Sequence, residues 1–265
     1  MIRVFPRKTK WTPDDPLAFI GDPQLFRPPD QPVRISVSFT WDIVEGKRLL
    51  EAWSQYYSDV LLGGPALGDP GGEFTPGLFL KPGVTITSRG CPRHCPWCDV
   101  PDREGPIREL EIKPGWIVQD NNFLACSQSH IVNVFDMLRT QNQAIKFSGG
   151  LDPRLLEPWH VGLFNSIKVN ELWFSCDSRE GLPALEKARR MLGNRFSKDA
   201  LRCYVLVKYF PGETPQMAEE RLYAVYQIGL LPFCMVYNPT LAPLPREWSF
   251  LLRKWTRPPA YRART

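Results

Sequence analysis

The chain has 265 residues, with 33 Lys and Arg against 28 Asp and Glu and a net charge of +5. That length suits one domain with an appendage and allows a substantial core, and the charge is too modest to name a polyanionic partner. No apolar run reaches the ~20 residues that span a bilayer, and Met1 to Lys8 lack the apolar stretch of a signal peptide, so a cytoplasmic protein with no membrane partner is expected.

The first forty residues are rich in proline, including Pro6, Pro13, Pro16, Pro23, Pro28, Pro29 and Pro32, and they show no sustained period. They read as an extended arm wrapped on the domain. Residues 34–41 then alternate like a strand, and Asp42 stands where it caps a helix with the apolar stripe Leu49, Leu50, Trp53, Tyr56 and Tyr57. Residues 59–64 form a second strand ending in Gly63 and Gly64. These, like Gly71 and Gly72, read as turn glycines, because no G-x-G-x-x-G follows a strand.

After a strand over 84–88 come Cys91, Cys95 and Cys98, three thiols within eight residues. A structural zinc takes four protein ligands, and so does an ordinary electron-transfer cluster; three thiolates on a [4Fe-4S] cube leave one iron open. The C-x3-C-x2-C spacing with Trp97 before the last cysteine resembles the signature of the radical S-adenosylmethionine (SAM) superfamily. The resemblance implies a [4Fe-4S] cluster on these cysteines, with SAM on the open iron cleaved by one electron to methionine and a 5'-deoxyadenosyl radical. It also implies a reductase or flavodoxin-type electron donor. A zinc knuckle completed by His94 or Cys126 is the plainer alternative. The other cysteines, Cys126, Cys176, Cys203 and Cys234, have no motif spacing and read as small buried hydrophobes rather than a disulfide framework.

Further strands are expected over 115–122, 144–148, 171–176, 201–209 and 232–237, with helices over 127–139, 153–164, 183–192 and 215–229 between them. Six strands so arranged predict a parallel α/β sheet, which the resemblance extends to a partial (βα)6 TIM-like barrel. Between Cys98 and the second strand, Pro101, Pro106, Pro114 and Gly115 leave room for only a loop or a single turn. The expected organisation is an N-terminal arm and vestigial Rossmann-like segment over 1–80, the partial barrel over 81–242 and a basic tail over 243–265.

In a parallel sheet, ligands sit at the carboxyl ends of the strands. Gly149 and Gly150, in Ser148-Gly149-Gly150-Leu151-Asp152-Pro153, resemble the family's G-G-E-P element and by that likeness seat the methionine part of SAM. Ser175 and Asp177 fall where relatives bind the SAM ribose or carboxylate, although Asp177 also suits a helix cap. Lys208 stands where many relatives have glycine and offers a cation to SAM or to solvent. Glu213 and Thr214 resemble the branch's helix start, and residues 232–239 match the segment that holds adenine. Asp120 and Asn122, similar to the D-D-N-F segment of the cobalamin-linked branch, are the first choices for substrate binding, with a turn as the other reading. The D-x-H-x-x-G motif of that branch is absent, so cobalamin is not expected.

The tail carries Arg246, Arg253, Lys254, Arg257, Arg262 and Arg264, with Trp248, Phe250, Trp255 and Tyr261 interleaved. With Arg3, Arg7, Lys8 and Lys10 this composition permits a zinc or iron-sulfur nucleic-acid-binding protein without catalysis. Solvated termini, and docking of Phe250, Leu251 and Trp255 on a core, are the competing readings. A barrel that keeps its cluster but has lost turnover is a third. For an enzyme, hydrogen abstraction is expected, and a nucleic acid base or a peptide both remain open as substrate.

Overall fold

The short apolar stretches between the N-terminal prolines are strands. In the computed structural model, which describes residues 1–239 and 242–259, β1 (Ile2–Phe5), β2 (Ala18–Ile20), β3 (Val33–Ser36) and β4 (Val60–Gly63) form a parallel sheet in the order β2-β1-β3-β4. The expectation of an extended arm is corrected here. The prolines fall in the connections, and each strand between them is too short for alternation to show. Helix α1 (Ile43–Ser54) covers one face, setting Leu49 and Trp53 on Ile2, Val4, Val33 and Ile35. Trp53 donates its indole N–H to the Gly21 carbonyl at 3.0 Å, and the Tyr57 hydroxyl donates to the Pro28 carbonyl at 2.9 Å. Tyr56 leaves the predicted stripe: it is exposed, with Arg27 over its ring at 3.8 Å. Asp42 is not a side-chain cap; its buried carboxylate pairs with Arg7.

The larger sheet holds β5 (Val84–Thr85), β8 (Ile117–Val118), β9 (Ile145–Leu151), β10 (Val169–Ser175), β11 (Leu201–Val207) and β12 (Leu231–Val236). All its pairs are parallel and the strands stand in chain order. The predicted first strand is shorter than expected. After Thr85 the chain turns out, and β6 (Ser88–Arg89) pairs antiparallel with β7 (Arg108–Glu109), with the single-turn helix α2 (Val100–Glu104) between them. The reduced first connection read from the prolines is therefore present.

Helices α3 (Gln128–Arg139), α4 (Pro158–Asn165), α5 (Leu182–Leu192) and α6 (Pro215–Ile228) connect the later strands. Ser127 caps α3 by accepting from the His130 amide at 3.2 Å, and Thr214 caps α6 by accepting from Met217 at 3.2 Å. The helix expected over 153–164 divides into a 3-10 turn, Pro153–Leu155, and α4, because the residue before Pro158 is held extended. Helix-side strand residues Phe147, Leu172, Phe174, Cys203, Val205 and Val207 are all within 1% of full burial. Phe123, Phe135, Phe147 and Phe164 pack ring against ring at 5.1–6.2 Å between centroids. Each such burial contributes roughly 1.5–3 kcal/mol.

The opposite face of this sheet is polar and aromatic. Lys146 donates to Glu171 at 3.1 Å, the Trp173 indole N–H to Glu171 at 2.8 Å, and the Tyr204 hydroxyl to the Ser148 carbonyl at 3.0 Å. Trp173 stacks on Tyr204 at 4.5 Å. Lys10 of the N-terminal segment reaches this face: burial lowers its pKa, with Lys146 and Arg202 adding to the fall and Glu171 opposing it.

In the tail, α7 (Arg246–Trp255) docks through Trp248, Leu251 and Trp255, whereas Phe250 is exposed, correcting that part of the expectation. Lys254 pairs with Glu219, Arg7 with Asp42, and Arg3 with Asp15, so much of the terminal charge is spent within the chain. Tyr261, Arg262 and Arg264 lie outside the described residues. No helix among the described residues is long and apolar enough to cross a membrane.

Candidate functional site

The cysteine loop leaves β6 and lies across the carboxyl ends of four strands, held at each. At its start, Gly90 takes a φ of 82°, and an added Cβ would meet the Gly105 and Pro106 carbonyls. The Gly90 amide donates to buried Glu104 at 3.1 Å, which also accepts from Asn121 and Arg103. The Cys91 amide donates to the Gly105 carbonyl at 3.1 Å, and the Asn122 side-chain amide donates to Cys91 Sγ at 3.4 Å. Arg93 reaches the end of β9, its Nε 3.0 Å from Asp152 Oδ2. Trp97 reaches the ends of β10 and β11, lying against Asp177 and edge-on to Tyr209 and Phe210 at 5.3 and 5.7 Å.

Cys91, Cys95 and Cys98 are free thiols of intermediate exposure. Burial pushes the Cys95 thiol up, with Arg154 opposing, and burial pushes Cys98 up, with the Val100 amide opposing. Thiols so placed bind through their thiolates only when a metal displaces the protons. Among the described residues, no group of three or more His, Cys, Asp or Glu side chains is arranged to hold a single metal ion. Cys126, Cys176, Cys203 and Cys234 are buried; burial raises Cys126, Cys176 and Cys234 to about 12 and Cys203 well above its ordinary value, as the reading of small hydrophobes requires.

Asp120 turns inward. Its carboxylate accepts from the Thr87 amide and hydroxyl at 2.6 Å each and from the Ser88 hydroxyl at 2.8 Å, with burial pushing its carboxyl up against those bonds. These bonds end β5 and aim the loop, so Asp120 positions the cysteines rather than facing a substrate. Asn122 stands beside Cys91, and its buried Oδ1 has no partner among the described residues.

The two glycines differ. A Cβ on Gly149 would collide with the Asp120 backbone, so this glycine serves the packing of β8 on β9. Gly150 has a φ of 108° and nothing within 4 Å of an added Cβ, which leaves open space at the strand end. Asp177 does not cap the next helix: its Oδ1 accepts from the Leu206 amide at 2.9 Å, tying β10 to β11, and burial raises its pKa. The Ser175 hydroxyl forms no hydrogen bond among the described residues.

Lys208 is the single non-glycine residue with positive φ among those described, at 67°, which agrees with its reading as a glycine position. Its amide donates to Glu213 at 2.6 Å, and Glu213 pairs with Arg221 at 2.6 Å with both side chains almost fully buried. Glu213 thus fixes the turn, and Thr214 starts the helix as expected. The Lys208 ammonium has no partner among the described residues.

Sequence reasoning missed Arg93, Glu104, Asp152 and Arg154. Asp152 accepts from Arg93 and, at 2.7 and 2.9 Å, from Arg154. Two arginines beside a three-cysteine loop, and an aspartate directly after the glycine pair, were the available signals. No protein-family model and no curated protein matches this chain.

Proposed function

We propose that the chain is a radical SAM enzyme whose larger sheet is a partial (βα)6 barrel. The strands in chain order support the barrel reading: parallel connections place α3, α4, α5 and α6 against one face, and the opposite face carries the polar and aromatic lining of a barrel interior. Cys91, Cys95 and Cys98 would hold the [4Fe-4S] cluster, and Gly150, Ser175 and Lys208 would meet SAM. When bound, the pair supplies the electron and the cleavable sulfonium that yield a 5'-deoxyadenosyl radical for hydrogen abstraction.

The observation that carries the reading is a convergence of incomplete groups. Around one loop at the carboxyl edge of a parallel sheet stand three thiols outside any disulfide and, without partners among the described residues, the Asn122 Oδ1 and the Lys208 ammonium, with open space at Gly150. A single zinc calls for donors converging on one ion, whereas a cube spreads its thiolates over separate irons. The protein orients this loop from four strand ends; Arg154, paired with Asp152, keeps positive charge beside Cys95.

Anaerobic reconstitution tests the assignment. About four irons per chain are expected from the cluster stoichiometry, with Cys95→Ala removing them and Cys126→Ala retaining them. Zinc bound in preference to iron, with no paramagnetic reduced state, overturns it. The substrate class, a nucleic acid base or a peptide, stays within the proposal, as does the electron donor.

A further inference from the structure

Away from the cysteine loop, the small sheet encloses a second site. Helix α1 covers one of its faces; on the other, Arg34 and Ser36 of β3 stand opposite Leu61 and Gly63 of β4. Between this face and residues 69–80 lies a cavity of about 470 Å³. Small-molecule sites occupy roughly 300–1,000 Å³. Leu61, Phe74, Leu78 and Ile86 give it an apolar lining, yet Leu61 remains 56% exposed.

Gly63 marks the cavity as more than loose packing. It ends a strand, its φ is in the ordinary range, and no atom of the described residues comes within 4 Å of an added Cβ. Neither backbone nor packing requires glycine there, although glycine weakens a strand by roughly 0.5–1 kcal/mol relative to alanine. Its neighbour Gly64 differs: with a φ of 114°, its Cβ would lie 2.6 Å from the Val37 carbonyl oxygen. A strand glycine that only keeps space clear suits close approach by a ligand.

The charged groups narrow the ligand's chemistry. Arg34 is tied to Asp59 by two bonds of 2.9 and 3.0 Å. Arg89 donates only its Nε, to the Gly72 carbonyl at 3.2 Å, and its terminal nitrogens have no acceptor among the described residues. Asp69 and Glu73 accept backbone amides from Gly71 at 2.8 Å and Glu111 at 3.1 Å, and neither forms an ion pair among the described residues. A free cation and two carboxylates without cations thus line one apolar cavity.

We infer that the cavity binds a zwitterionic amino acid with a large apolar side chain. Its carboxylate meets Arg89, its ammonium meets Asp69 or Glu73, and its side chain lies over Leu61 and Gly63 toward Phe74 and Ile86. Neither the cluster nor SAM enters this assignment, although Arg89 ends the strand from which the cysteine loop leaves.

Calorimetric titration of the full chain, without added metal, tests it with L-tryptophan, indole-3-propionate and tryptamine as probes. L-Tryptophan is expected to bind at one site per chain and more tightly than either singly charged analogue. Gly63→Leu, which fills the space without backbone strain, should weaken it at least tenfold while leaving the thermal midpoint unchanged or higher. Arg89→Gln should weaken L-tryptophan and indole-3-propionate but not tryptamine. Absence of saturable L-tryptophan binding, or wild-type affinity in the folded Gly63→Leu protein, overturns the site. Equal or tighter binding of either analogue overturns the zwitterion assignment.

Discussion

Replacing Asp152 by Ala should loosen the cysteine loop at a cost that the structure sets. Its carboxylate, 5% exposed, ties Arg93 of the loop to Arg154 and the end of β9, with three charge-assisted bonds of 2.7–3.0 Å and a fourth from the Arg154 amide at 3.1 Å. Breaking a wholly buried pair costs about 3–5 kcal/mol. Here the two arginines are 37% and 48% exposed and regain water, which lowers the expected loss to about 2–3 kcal/mol. Urea denaturation measures that loss, and alkylation of Cys91, Cys95 and Cys98 should quicken; Asp152→Asn, which keeps the acceptor for the Arg154 amide, should lose less. The pH dependence has a definite sign. Burial would raise the Asp152 carboxyl, but the Arg154 bonds and the charges of Arg154 and Arg93 outweigh it and hold it below its ordinary value. The contribution is therefore present above the unfolded value of about 3.9 and lost as pH falls through the lower folded value. The gap between wild type and Asp152→Ala should be flat near neutrality and close only in acid. A loss under about 0.5 kcal/mol with unchanged alkylation would refute the role given to this tie.

The glycine pair should separate by mechanism: Gly149→Ala forces a backbone collision and should cost over 3 kcal/mol or block folding, as overpacking does at about 1–3 kcal/mol where side chains can yield. Gly150→Ala should cost only the left-handed strain of roughly 1–2 kcal/mol, both read by urea denaturation. Arg221→Met, which strands buried Glu213, should cost about 3–5 kcal/mol, and adding Glu213→Gln should recover part of it in a double-mutant cycle. Lys208→Gly relieves a positive φ and should leave stability within about 1 kcal/mol of wild type, while weakening SAM binding to reconstituted protein. Unchanged SAM affinity would remove Lys208 from the site.

The larger sheet was legible because its strands are long enough to show apolar runs and its helices carry proline starts and apolar stripes, as at Thr214-Pro215. Half of the N-terminal sheet was hidden for the opposite reason: β1 and β2, of four and three residues between prolines, have no period to read, whereas β3 and β4 overlap the strands expected over 34–41 and 59–64. At the site, local chemistry could be read and reach could not. The cysteine spacing and the glycine-like position of Lys208 are each local to their own short segment. Asp120, read as a substrate contact, turned inward because Thr87 and Ser88 supply three donors from 32 and 33 residues away. Asp152 was passed over because its partner Arg93 is 59 residues distant. Such partners become visible only when the strand ends are brought together.

Reductive cleavage of SAM by the anaerobically reconstituted chain is the most direct test. With dithionite and SAM, 5'-deoxyadenosine and methionine should form, the reduced-cluster paramagnetic resonance signal should change when SAM is added, and Cys95→Ala should abolish both. A fully loaded cluster that neither cleaves SAM nor responds to it would rule out a radical SAM enzyme.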